Sequence, residues 1–143
     1  TLKLEITESL LMDDPGRAVS MMQQIRALGV HLSLDDFGTG YSSLSYLHRY
    51  PVNSLKIDRA FVCRITEDPA AEHIIKAIVT MCEGLGLEVV AEGVESFAEA
   101  LKLKALGCGM AQGYFYGKPM DRNAVRNFLA DKYIDFTGQY NRG

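Results

Sequence analysis

The sequence predicts an α/β fold in which parallel strands alternate with helices, and three observations carry that prediction. Short apolar segments with a two-residue alternation recur at Leu2–Thr7, His31–Asp35, Ser54–Asp58, Glu88–Glu92 and Met110–Phe115. Each has an acidic or amide residue at or near its end, and the stretches between them show helical periodicity with start and stop residues. A helix between two strands carries the chain back to the edge it left, so the strands on either side run parallel.

The elements follow in order. In the first strand Leu4 and Ile6 flank Glu5, which puts the polar side chain on the opposite face from the two apolar ones. A helix opens with Asp14 as N-cap and Pro15 at its first position, carries Met21, Met22, Ile25 and Leu28 as its apolar stripe, and stops at Gly29. After the second strand comes a glycine-bearing polar loop, Asp36 to Ser43, and then a short helix over Ser42–His48. The third strand again alternates, Leu55 and Ile57 about Lys56. A long helix begins at Asp68-Pro69, buries Ile74, Ile75, Ile78, Val79 and Cys82, and ends at Gly84 or Gly86. Ser96 and Glu99 form a capping box for the next helix, which stops at Gly107. A last helix runs from about Arg122 to Lys132. Residues 1–132 are expected to form the domain and 133–143 a polar tail, frayed from Thr137 on. Two closures of the sheet remain open, a doubly wound sheet or part of a (β/α)8 barrel; a whole barrel needs about 250 residues, and five strands do not close one.

The composition narrows function. At 143 residues, 48% hydrophobic and 23% charged, the chain is of single-domain size and is not expected to be disordered. A net charge of -3 without a dense Lys/Arg run excludes binding of long nucleic acid by phosphate neutralisation and leaves a small nucleotide open. No apolar run approaches the roughly 20 residues that span a bilayer, and Thr1 to Glu8 lack a basic-then-apolar leader, so a soluble, cytoplasmic chain is expected. Cys63, Cys82 and Cys108 are odd in number and form no CxxC, which reads as reduced core thiols.

The chemistry lies at the strand ends: Glu5, the pair Asp35-Asp36, Lys56 with Asp58, Glu92 and Gln112. In parallel α/β folds that edge is where ligands bind, because its loops vary while the strands hold position. Any one of these residues has an ordinary explanation, a solvated acid for Glu5 or Glu92, an ion pair for Lys56 or Asp58. Their recurrence on five strands favours a site. Several carboxylates in one mouth repel each other unless a cation neutralises them. An all-oxygen set without His or Cys suits magnesium or manganese, with calcium also possible, and two such ions suit phosphodiester hydrolysis. The Asp36-Phe37-Gly38 triplet lacks the other kinase motifs, and His31, His48 and His73 lie on separate elements and form no cluster.

Leu4-Glu5-Ile6-Thr7-Glu8-Ser9, Asp35 through Ser43, Lys56-Ile57-Asp58, Ala91-Glu92-Gly93-Val94-Glu95 and Gln112-Gly113-Tyr114, in that order, resemble the EAL phosphodiesterase domain over residues 2 to 129. The resemblance implies a (β/α)8-like barrel that hydrolyses cyclic-di-GMP to pGpG with magnesium or manganese. It implies Glu5 and Asp35 as ligands of one metal, with Asp35 bridging to a second that Asp36 also holds. Lys56 resembles the lysine that contacts the attacking water, Glu92 the general base or metal-site acid, and Gln112 the glutamine beside it. Glu8 resembles the acid that anchors the loop after Asp36, and Pro119 the segment near a guanine base. The part of the family pattern before Glu5, with the Glu-Ala-Leu strand and a metal-binding Asn, is not in this chain. Negligible turnover by the chain alone is therefore expected, with the exposed barrel edges covered by self-association or by the first half of a barrel. A non-catalytic nucleotide-binding or dimerising module is the alternative. An enolase-like use of Lys56 as base fits the carboxylates and lysine but not the adjacent acidic pair.

Overall fold

The computed structural model describes residues 2–7, 14–37, 47–131, 133–134 and 140–141, with side chains as far as residue 128. Five parallel strands form one sheet: β1 (Lys3–Thr7), β2 (His31–Phe37), β3 (Ser54–Ile57), β4 (Glu88–Ala91) and β5 (Met110–Ala111). Their spatial order is the chain order, β1-β2-β3-β4-β5. A doubly wound sheet reverses its order at a switch point, whereas sequential order is that of a barrel wall, which decides between the two closures for a partial (β/α)8 barrel.

Among the described residues the helices are α1 (Pro15–Ala27), α2 (Arg59–Val62), α3 (Pro69–Leu85), α4 (Phe97–Ala105) and α5 (Arg122–Asp131). Their caps follow the predicted grammar. The Asp14 and Asp68 carboxylates accept from the backbone N–H groups of Arg17 and Ala70, and Ser96 and Glu99 form the reciprocal capping box. Of the two glycines offered for the end of α3, Gly86 takes the role at φ +68°, while Gly84 lies inside the helix. The predicted Ser42–His48 helix, except for Leu47 and His48, falls outside the described residues.

The core is the layer between helices and sheet. Leu32, Leu34, Leu55, Ile57, Val89 and Ala91 point outward from the strands onto Val62, Ile75, Val79 and Leu103. Asn53 ties three strand starts together, exchanging hydrogen bonds with Leu32 and accepting at its carbonyl from the Glu88 N–H. β1 is the outer strand on one side, with Leu2 and Leu4 exposed, and β5 is the outer strand on the other.

Several expectations change. Met22 is buried in α1 together with Ala18, while Met21 and Leu28 are exposed, because the buried line runs through residues 18, 22 and 25. Ile74 likewise turns outward from α3 while Ile75 and Ile78 face the sheet. The fifth strand pairs over two residues only, since after Ala111 the chain turns to pack on the preceding loop. The tail holds a short antiparallel pair, Tyr133–Ile134 (β6) with Tyr140–Asn141 (β7). Cys63 is exposed, not a core thiol: it is the C-cap of α2, whose buried residue is Val62. Cys82 and Cys108 are buried, and burial, with Cys108 nearby, pushes the Cys82 thiol up to about 12. Since the thiolate is the nucleophile, iodoacetamide in mildly alkaline buffer is expected to modify Cys63 rapidly and the other two only after denaturation, as mass spectrometry of the intact chain will show.

Candidate active site at the strand ends

The inward face of the sheet is polar at its carboxyl end. Glu5 stands opposite Ser33, Ser33 opposite Ser54, and Lys56 opposite Val90, so these side chains share the face turned away from the helices. Ser54 Oγ donates to Ser33 Oγ at 2.9 Å in a fully buried layer, and the charged groups sit above it.

Asp35 and Asp36 owe their placement to a β-bulge. Leu34 pairs with Leu55 and Phe37 with Ile57, so two acids on β2 face the single Lys56 on β3. The extra residue is accommodated at Asp36, which takes φ +57°, and Asp36 N–H donates to Asp35 Oδ1 at 3.0 Å. This is the physical form of the turn needed for adjacent acids to escape strict alternation.

Lys56 is the hub. It is 4% exposed, and its ammonium lies 2.8 Å from Glu5 Oε2, 3.2 Å from Asp35 Oδ2 and 2.6 Å from Glu92 Oε1. Gln112 Nε2 donates to the same Glu92 oxygen at 2.6 Å. Burial, the largest influence, works to lower the Lys56 pKa, but the hydrogen bonds to Glu5, Glu92 and Asp35 together outweigh it and raise the pKa above its ordinary value. Glu92 is nevertheless also raised above the ordinary carboxylate value. Burial drives it, and the charges of Asp35 and Glu5 add to it, against the opposing hydrogen bond and charge of Lys56. The Lys56 direction follows from charge balance, since three carboxylates share one ammonium and leave two negative charges in excess when all are ionised, whereas the Glu92 direction follows first from burial. The lysine gains from every neighbour; Glu92 gains from one and loses to two.

Because the folded-state pKa of Glu92 is raised, its contribution is fully present below the ordinary carboxylate value and is lost as pH rises through the folded value. Glu92→Gln is therefore expected to remove a loss of stability on going from about pH 4 to about pH 7, measurable as a flatter pH dependence of urea unfolding. The raised Lys56 pKa keeps the ammonium charged throughout that window.

Beside the cluster opens a cleft of about 500 Å³ lined by Glu92, Gln112, Pro119, Arg59, Tyr114 and Lys118, among others. The structure thus brings together Glu5, Asp35, Lys56, Glu92 and Gln112, with Pro119 among the residues lining the cleft beside them. Asp58 stands apart: its carboxylate caps α2, accepting from the Ala60 N–H at 2.7 Å. Glu8 lies outside the described residues. Arg59 and the ion pair it makes with Glu95 were not singled out from the sequence, which offers no signal for Arg59 beyond its place after Asp58. Among the described residues no three His, Cys, Asp or Glu side chains are gathered so as to hold a metal by themselves; the acids meet on the Lys56 ammonium.

The family model described as the EAL domain matches residues 1–119. The chain belongs to the EAL domain family. EAL relatives include the cyclic di-GMP phosphodiesterase NbdA of Pseudomonas aeruginosa, 43% identical over 128 residues, a match covering 90% of this chain and 16% of NbdA. Among solved structures, the PaMucR phosphodiesterase in its c-di-GMP complex superposes with a TM-score of 0.82 at 45% identity, covering 87% of this chain and 50% of that one. Klebsiella pneumoniae BlrP1, in a manganese/cy-diGMP complex, gives a TM-score of 0.76 at 34% identity, covering 82% of this chain and 30% of BlrP1. This EAL chain therefore spans about half of the PaMucR chain and a smaller share of the other two. No helix among its described residues is long and apolar enough to cross a membrane.

Proposed function

We propose that this chain supplies the second half of a metal-dependent site that hydrolyses cyclic-di-GMP to pGpG. The observation that carries the reading is the charge deficit at Lys56: among the described residues Glu5, Asp35 and Glu92 converge on one ammonium, three negative charges on one positive, with Asp36 next in sequence. A divalent cation balances that deficit. The oxygen-only donors suit magnesium or manganese, which keep several waters and take one or two carboxylates from the protein. Glu5 and Asp35 would hold one ion and Asp35 and Asp36 a second; bound ions would polarise the phosphate and lower the pKa of a water.

The protein's own part is orientation and proton handling. Lys56, fixed by three partners, holds a permanent positive charge beside the attacking water's position and would free an N–H for that water once a cation draws Glu5 or Asp35 from it, and Glu92, raised above the ordinary carboxylate range, is suited to accept the proton. Gln112 fixes the rotamer of Glu92 by its 2.6 Å hydrogen bond. The cleft bounded by Tyr114 and Pro119 offers an aromatic face and an apolar wall for a base, with Lys118 above the Tyr114 ring and positioned for phosphate. Asp58 would support the site indirectly by fixing the start of α2.

Turnover by this chain alone is expected to be negligible, because one wall of the barrel beyond β1 is not supplied by it; a second copy or the first half of an EAL barrel would cover that edge. A cytoplasmic setting fits a nucleotide substrate. Incubation with cyclic-di-GMP and manganese, followed by chromatography for pGpG, tests the reading. Release that requires metal and disappears in Glu92→Ala supports the chemistry and shows that an assembly completes the site. Metal-dependent binding of the dinucleotide without release supports the site in an incomplete barrel, and neither binding nor release contradicts it.

A further inference from the structure

The turn Glu92–Glu95 carries Glu92 and is gripped from two sides. On the β5 side, Val94 N–H donates to the Gln112 carbonyl and the Val94 carbonyl accepts from Phe115 N–H, with Gly113 packed directly on the Val94 backbone. On the other side lies Arg59, the first residue of α2. Gly93 has φ +68°, and a Cβ built there would fall 2.4–2.8 Å from the Cβ, Cγ and Cδ of Arg59, so the aliphatic stem rests on the glycine backbone. The guanidinium continues past it to Glu95 Oε1 at 2.7 Å. The turn's far end is itself fixed, since the Glu95 and Ser96 N–H groups donate to the Glu99 carboxylate. At the near end the Glu92 N–H donates to the Ile57 carbonyl, two residues before Arg59.

We propose that Arg59 is a positioning residue for Glu92: its stem presses on Gly93 and its guanidinium anchors Glu95, so that the turn aims the Glu92 carboxylate at Lys56. An exposed ion pair of this kind contributes little to stability, and the guanidinium side chain is more than half exposed. Its effect is local instead, a strap over a glycine that no side chain could replace from within the turn. This assignment rests on the reading of the Lys56 cluster as the catalytic site, though the geometry it predicts is measurable without turnover.

The test is NMR of the full chain with nitrogen-15 and carbon-13 labels. A buried ammonium with three carboxylate partners exchanges slowly enough for its Nζ resonance to be followed, and scalar couplings across its hydrogen bonds identify each partner. The native chain is expected to show Lys56 Nζ coupled to the carboxyl carbons of Glu5, Asp35 and Glu92. Arg59→Ala is expected to lose the Glu92 coupling while retaining the other two, and Arg59→Lys, which keeps stem and charge, to restore it. Glu95→Ala removes the anchor from the other end and is expected to reproduce the selective loss, which keeps the test available should Arg59→Ala fail to fold. An unchanged Glu92 coupling in Arg59→Ala or Glu95→Ala overturns the proposal, as does loss of all three couplings together without restoration by lysine. Failure of the proposed function would show instead as absent metal-dependent binding and hydrolysis in the unmodified chain, an experiment in which Arg59 is not varied.

Discussion

Lys56→Met is expected to destabilise the chain by about 3 kcal/mol at neutral pH, one of the two largest single-residue effects the structure predicts. The methionine fills much of the same volume, so little of the cost is packing. What is lost is the charge that, among the described residues, holds Glu5, Asp35 and Glu92 within contact distance of one point. Removing one partner of a buried pair leaves uncompensated charge, and here it leaves three like charges. Glu5 is half-exposed and can turn to water, which keeps the cost from being larger, while Asp35 and Glu92 are mostly covered. The deficit should shrink as pH falls into the carboxylate range, because protonated acids no longer repel. Urea unfolding of native and variant chains at about pH 7 and about pH 4 checks both size and trend; an equal deficit at the two would assign the loss to packing. Loss of any hydrolysis is expected alongside.

Gly113→Ala is expected to cost a similar amount, about 3 kcal/mol, by a different route. The added Cβ would meet Val94 O at 2.2 Å, Val94 N at 2.3 Å and Val94 C at 2.8 Å. These are backbone atoms engaged in hydrogen bonds with Gln112 and Phe115, so they cannot yield as a flexible side chain would. Relief requires β5 and the Glu92–Glu95 turn to part, which also separates Gln112 from Glu92. Gly29→Ala is the comparison: its φ of +79° imposes conformational strain, but nothing lies within 4 Å of the new Cβ, so about 1 kcal/mol is expected. Thermal unfolding of the two variants should separate them clearly, and equal losses would refute the role of close approach at Gly113.

Much of this was legible in the sequence because alternation and caps are local signals. Glu5 between Leu4 and Ile6, and Lys56 between Leu55 and Ile57, show which face each side chain takes before any partner is known. Asp14-Pro15, Asp68-Pro69 and Ser96 with Glu99 mark helix starts for the same reason. The bulge at Asp35-Asp36 was not legible, since register is a property of two strands and only the pairing of Leu34 with Leu55 and Phe37 with Ile57 reveals it. Nor was the centre of the site. Sequence reasoning assigned neutralisation of the acids to a metal, whereas Lys56 supplies part of it, a three-way contact drawn from strands far apart in the chain. Asp58 shows the limit of strand-end logic: one residue past the strand, the backbone has already turned to start α2, and the acid caps that helix instead of joining the cluster. Glu92, Gln112 and Pro119 line one cleft, a grouping of three separate segments that alternation and caps do not show.

The Lys56 cluster is expected to retain room and charge for a divalent cation. Manganese titration of the full chain near neutral pH, followed by the electron paramagnetic resonance of free ion and by thermal unfolding, tests it most directly. Saturable loss of the free-ion signal is expected, with a rise in melting temperature, and both should vanish in the Glu5→Gln, Asp35→Asn double variant. No saturable binding, or binding that survives the double variant unchanged, would contradict the account.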